Sequence, residues 1–146
     1  MYSLRKAEIK ILHTPYRPIR FVLSAKKAVG LIRKATTEFK NNRYYAILLD
    51  ENLRFIAWVN LYDRSKGATS FNLNSLPFLC ENIEFYLHTR EVKSLICFET
   101  SRKVKATKKT NANFERVREF AKERKFNLID YIILGESSFF SYNERV

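Results

Sequence analysis

The side chains able to do chemistry are few, and the densest group of them lies in one stretch, Ile96-Cys97-Phe98-Glu99-Thr100-Ser101-Arg102-Lys103-Val104-Lys105-Ala106-Thr107-Lys108-Lys109-Thr110-Asn111. It begins as a buried strand would, with Leu95, Ile96, Cys97 and Phe98, and then gathers five positive charges. The charges that follow suit phosphate oxygens, which are held by Lys, Arg and the backbone N–H groups of helix N-termini. Other constellations are weaker. Gly30, Gly67 and Gly135 are too far apart for a glycine-rich phosphate loop. A Ser-His-Asp triad would need His13 or His88, and neither has an evident partner. Asp50, Asp63 and Asp130 show no spacing that pairs two carboxylates. Cys80 and Cys97 both sit among apolar neighbours, as reduced, buried thiols of a cytosolic protein do.

Charge is the strongest compositional feature: 27 Lys and Arg against 15 Asp and Glu leave +12 on 146 residues. A phosphate backbone, an acidic protein or an anionic surface would each be attracted. From Glu99 to Lys125 ten basic and four acidic residues leave +6, half the total. No apolar run approaches the roughly 18 residues of a membrane span, and the start of the chain has no apolar leader segment. The expectation is a cytoplasmic protein of one domain, 1–146, with an N-terminal strand and extended segment over 1–20 and a core over 21–146.

These residues must be positioned by an α/β framework. A short strand is expected over 8–12, followed by "HTPYRP", which its prolines hold out of helix. Ala25, Ala28, Val29, Ile32 and Phe39 recur at helical spacing behind Ser24, a suitable N-cap. "YYAILLD" (44–50) and "RFIAWVNLY" (54–62) read as a hairpin, with Asn52 as a left-handed turn residue. A loop over 63–70, a helix over 74–88 and a strand over 92–98 follow. Thr110 or Asn111 would cap a helix whose inner stripe is Phe114, Val117, Phe120 and Ala121. Strands over 127–135 and 138–144 close the chain. The order β-α-β-β-α-β-α-β-β implies a mixed β-sheet flanked by α-helices.

The closing segment, "LIDYIILGESSFFSYNERV", is similar to the end of RadC-like domains of the JAB/MPN (JAMM) metalloprotease-type family. The likeness runs through Leu128, Ile129, Asp130, Ile132, Ile133, Gly135, Phe139, Phe140, Ser141, Tyr142 and Glu144. The hairpin over 44–62 resembles that family's first two core strands. The resemblance implies a JAB/MPN-like, deaminase-like fold over about residues 20–146. In the family, His-x-His at a strand end and an Asp eleven residues on hold Zn²⁺, and an upstream Glu is the general base. Counting back without gaps puts Cys97 and Glu99 at the two histidines, Thr110 at the aspartate and Val59 near the glutamate. Threonine is a poor ligand and valine cannot move a proton. The resemblance therefore implies a degenerate member with no catalytic residue, no metal and no cofactor.

It also implies an association with DNA and mobile elements. Together with the charge, this predicts a basic binding module for nucleic acid through Arg102, Lys103, Lys105, Lys108, Lys109, Arg116, Arg118 and Lys122. The alternative is a protein-binding adaptor or inhibitor, of phage or mobile-element type, that meets an acidic partner with the former active-site groove or the basic face. The aromatic residues Tyr44, Tyr45, Phe78, Phe139, Phe140 and Tyr142 are expected in the core and on sheet faces.

Overall fold

The structure is a computed structural model that describes residues 8–10, 24–36, 38–60 and 92–145. It is a mixed α/β fold. Strands β1 (Glu8–Lys10), β2 (Tyr44–Leu49), β3 (Phe55–Asn60), β4 (Ser94–Thr100), β5 (Asn127–Leu134) and β6 (Phe139–Ser141) form one sheet in the order β1-β3-β2-β4-β5-β6. The short β1 adds an edge to a five-stranded body. Only β4 and β5 are parallel, and they are joined by a helix; every other neighbouring pair is antiparallel. The two described helices are α1 (Ala25–Ala35) and α2 (Lys108–Glu123).

Both faces of the sheet are buried, which is why β2 and β4 read as unbroken apolar runs instead of alternating. Tyr45, Ile47 and Leu49 pack with Ile96, Phe98, Ile132 and Leu134 against Ala25, Ala28, Val29 and Ile32 of α1. Tyr44, Ala46 and Leu48 pack on the other face with Leu95, Cys97, Tyr131 and Val117 of α2. Ser24 caps α1 as expected, its hydroxyl accepting from the Lys27 N–H at 3.2 Å. The helix stops at Ala35 and not near Phe39: the Thr36 hydroxyl and N–H make the last bonds to the Ile32 carbonyl, at 2.7 and 2.8 Å, and the Thr36 backbone then turns extended (φ −110°, ψ 91°). The Glu144 carboxylate accepts from the Ala25 N–H at 2.8 Å, placing a negative charge at the positive end of α1.

Several boundaries differ from the sequence expectation. The left-handed residue of the β2–β3 turn is Leu53 (φ 62°), not Asn52. Asp50 imposes this: its carboxylate accepts from the N–H groups of Asn52 and Arg54, and its carbonyl from the N–H of Leu53. This is a type I turn followed by a left-handed residue. Helix α2 begins three residues early, at Lys108, with Thr107 as its N-cap, because Thr107 and Thr110 form a reciprocal capping box. It ends with Lys125 at φ 63° and the Phe126 N–H on the Ala121 carbonyl, the Schellman arrangement. β4 runs on to Thr100, and β6 stops at Ser141 where the chain turns back onto Asp130. The expected helix over 74–88, the loop over 63–70, residues 11–12 of the first strand, residues 61–62 of the hairpin, Phe78, Cys80, His13 and His88 lie outside the described residues.

Candidate functional site

The site grows from two details of β4 and its neighbour. Cys97 and Glu99 alternate with Phe98 and so point toward α2. β5 carries a bulge: Leu95 pairs with Leu128 and Ile96 with Asp130, so Ile129 is skipped. The extra residue reverses the facing of everything after it. Tyr131 therefore lies opposite Cys97 on the α2 side, whereas an unbulged strand would have turned it toward α1. Its hydroxyl reaches the Glu99 carboxyl at 2.5 Å, and the Asn113 amide of α2 donates to the same oxygen at 3.3 Å. Glu99, Asn113 and Tyr131 are all buried.

One turn earlier on α2, Thr110 bonds the Tyr142 hydroxyl at 2.8 Å, and Tyr142 donates to the Asn111 amide oxygen at 2.6 Å. Thus Cys97, Glu99 and Thr110, distant in the sequence from Tyr131 and Tyr142, meet beneath the first half of α2. Burial pushes the Cys97 thiol up to about 12. Burial, with the nearby Glu99, pushes Tyr44 up to about 12 and Tyr131 well above the usual phenol range. The backbone register sets Val59, Ala46, Cys97 and Tyr131 in one row across the sheet.

The donors at these positions do not fit a zinc ion. Zinc needs a thiolate, a neutral imidazole or a free carboxylate oxygen. Burial disfavours the Cys97 thiolate, one Glu99 oxygen is engaged by a phenol and an amide, and Thr110 is committed to the capping box and Tyr142, which leaves fewer than the three protein ligands that zinc takes. Among the described residues no three His, Cys, Asp or Glu side chains stand together as a metal-binding group.

The basic segment leaves this cluster as a fixed loop. Thr100 pins its base, since its hydroxyl donates to the Lys40 carbonyl and accepts from the Arg43 N–H. The Ser101 N–H bonds the Leu134 carbonyl at 3.0 Å, and the Ser101 hydroxyl accepts from the Lys103 N–H. Val104 packs onto Gly135, where any Cβ would run into Val104 Cγ2, so the glycine is what lets the loop lie on the β5–β6 turn. The capping box closes the far end. Between those anchors Arg102, Lys103, Lys105, Lys108 and Lys109 are all exposed, with no acidic side chain in the first turn of α2.

The three cations expected further along α2 are exposed too, but carboxylates stand among them. Glu115, Glu119 and Glu123 recur at every fourth residue and form an acidic ridge along the exposed face. Arg116 falls on one side of it and Arg118 and Lys122 on the other. Arg118 is paired with Glu115 at 3.0 Å and lies over the Phe114 ring.

Sequence reasoning missed Tyr131, Asn113, Asn111 and the Val104–Gly135 contact. The available signal was a tyrosine inside an apolar strand, since a buried phenol needs a partner. Asp130 is structural, as expected from its place in the closing strand. Its carboxylate accepts from the N–H groups of Tyr131 and Asn143 and from the Ser141 hydroxyl, holding the bulge to the terminal turn. Among the described residues no helix is long and apolar enough to cross a membrane. No protein-family model and no curated protein matches the chain.

Proposed function

We propose that this protein is a binding module for the phosphate backbone of nucleic acid, built on a JAB/MPN-like framework whose catalytic positions have become structural. The observation that carries the reading is the loop over 102–109: five exposed cations, no carboxylate among them, and a backbone anchored at Ser101, Val104 and Thr107. A prepositioned cationic loop loses little entropy on binding, and phosphate contacts of this kind supply affinity without base readout.

The framework half of the proposal is supported by placement. The hairpin, the strand ending just after Glu99 and the closing strand pair fall where the resemblance expects them. Thr110 falls in the first turn of α2, and Val59 falls in the row of Cys97. The inactivity half is supported by the donor chemistry above, in which Thr110 is committed elsewhere and Cys97 and Glu99 alone fall short of three ligands.

The test is binding to duplex and single-stranded DNA across a salt series. Five phosphate contacts on a duplex give a log–log salt slope of about −4.5. The variant R102Q/K103Q/K105Q/K108Q/K109Q should lose most of that slope together with its low-salt affinity. Binding that ignores salt, or survives the five substitutions, would overturn the reading and turn attention to an acidic protein partner.

A further inference from the structure

A second feature of the same half of the molecule has no part in the loop. Beside the outer edge of β5, a pocket of about 270 Å³ opens between Phe114 and Arg118 of α2, Leu128 of β5, and Tyr142 and Arg145 of the terminal turn. It is smaller than the roughly 300 Å³ at which pockets for drug-sized ligands begin, and has room for one planar ring system. Its walls are aromatic: Phe114 and Tyr142 stand 4.6 Å apart between centroids, and Phe114 is only half-buried. Its free charge is positive. Arg145 is exposed and near Tyr142, whose phenol is raised above its ordinary value chiefly by burial, with Arg145 a smaller pull downward. Arg118 reaches over the Phe114 ring at 5.8 Å, and its exposed pair with Glu115 is of a kind that contributes little. The one acid in the lining, Asp130, is turned inward with both oxygens engaged by Tyr131, Ser141 and Asn143.

A small cleft of mixed polar and apolar lining, with two guanidiniums on it, suits a planar ring carrying an anion. We infer that this pocket takes one unstacked nucleotide, its base against the half-buried Phe114 and its phosphate on Arg118 and Arg145. The Tyr142 hydroxyl bonds Thr110 and Asn111, so the pocket adjoins the N-terminal turn of α2 where the cationic loop ends. A strand whose phosphates follow the loop can place a base here only if that base is unpaired. The inference rests on the nucleic-acid reading and adds to it a preference for single strands or frayed ends.

The experiment has two arms. In the first, adenosine and uridine monophosphate are titrated against the whole chain, with inorganic phosphate and the bare nucleosides as controls. Mononucleotide binding should exceed that of phosphate and fall about ten- to hundredfold in Phe114→Leu, as loss of one base–aromatic stack does. Because Phe114 touches the core, Arg145→Ala serves as an independent variant and should weaken the nucleotide but not the nucleoside. The five-residue loop variant should bind mononucleotide as wild type does. In the second arm, single-stranded DNA should compete better than duplex, and Arg145→Ala should abolish the difference. Equal binding of phosphate and mononucleotide, or a strand preference untouched by Arg145→Ala, would overturn the pocket while leaving the loop's salt-dependent binding standing. Loss of all polymer binding in the loop variant with mononucleotide binding kept would uphold both.

Discussion

The two faces of the sheet are built on different terms. Toward α1, the strands offer Tyr45, Ile47, Leu49, Trp58, Ile96, Phe98, Ile132 and Leu134, and the helix answers with alanine, valine and isoleucine. Toward α2, the same strands offer Tyr44, Cys97, Glu99 and Tyr131, and the helix answers with Thr110, Asn113 and Val117. The first face is held by area removed from water, which is non-directional and tolerant of exchange. The second buries apolar area too, Ala46, Leu48, Leu95 and Val117 among it, and adds hydrogen bonds whose partners are specified atom by atom; such networks fix geometry more than they add stability. The basic loop and the aromatic pocket both belong to the second face. The contrast teaches that this molecule positions its charges from the face where hydrogen bonds are added to the apolar packing.

The contrast is broken most directly by unequal truncation. Phe98→Ala on the α1 side should destabilise by about 3–5 kcal/mol, the usual penalty for emptying a fully buried aromatic site. Denaturant midpoints at constant slope would measure it. DNA binding by the folded fraction should be unchanged, because Phe98 supports no part of the loop. A loss near 1 kcal/mol would mean that the α1 face is not the main source of stability.

The second comparison falls on the hydrogen-bonded side. Tyr131→Phe leaves the buried Glu99 carboxyl with the longer Asn113 contact, and should cost about 1.5–3 kcal/mol. Adding Glu99→Leu to Tyr131→Phe removes both partners of the short bond and should restore part of the loss, only the Asn113 amide being left without its acceptor. If the double variant were instead the sum of two large losses, the carboxyl would be doing something beyond satisfying the phenol.

These effects also mark how far the sequence could be read. The apolar runs of β2 and β4 were legible because both sheet faces are buried, and the stripe of α1 was legible because its small and branched residues recur at helical spacing. The five cations of the loop were legible as a charge run. The acidic ridge that divides Arg116 from Arg118 and Lys122 was present in the fourfold spacing of Glu115, Glu119 and Glu123, but a sum of charges hides it. The Glu99–Tyr131 bond was not legible. It joins residues 32 apart and exists only because the bulge skips Ile129. A bulge is selected by what its strand meets in three dimensions, here by Asp130 gathering three donors from Tyr131, Ser141 and Asn143. The start of α2 escaped for a similar reason: two threonines three apart form a capping box only when both turn inward together.

The smallest effect is the dependence on pH, and it too separates the faces. Burial raises the Cys97 thiol from 9.0 to about 12 in the folded chain. A group whose folded value is raised stabilises fully below its unfolded value, and that contribution drains away as the pH climbs from about 9 toward 12. Between pH 8 and pH 10 the thiol should therefore remove about 1.4 kcal/mol of stability. Tyr44, raised from 10.0 to about 12, enters mainly above that interval. Urea midpoints at the two pH values should fall in the native sequence, and fall less in Cys97→Ala by the thiol's share. The same burial predicts that a thiol reagent reacts with Cys97 only as fast as the chain opens. A pH response identical in the two sequences would mean that water already reaches the α2 face at Cys97, and the sharp division between a hydrogen-bonded interior and an exposed cationic loop would then have to be redrawn.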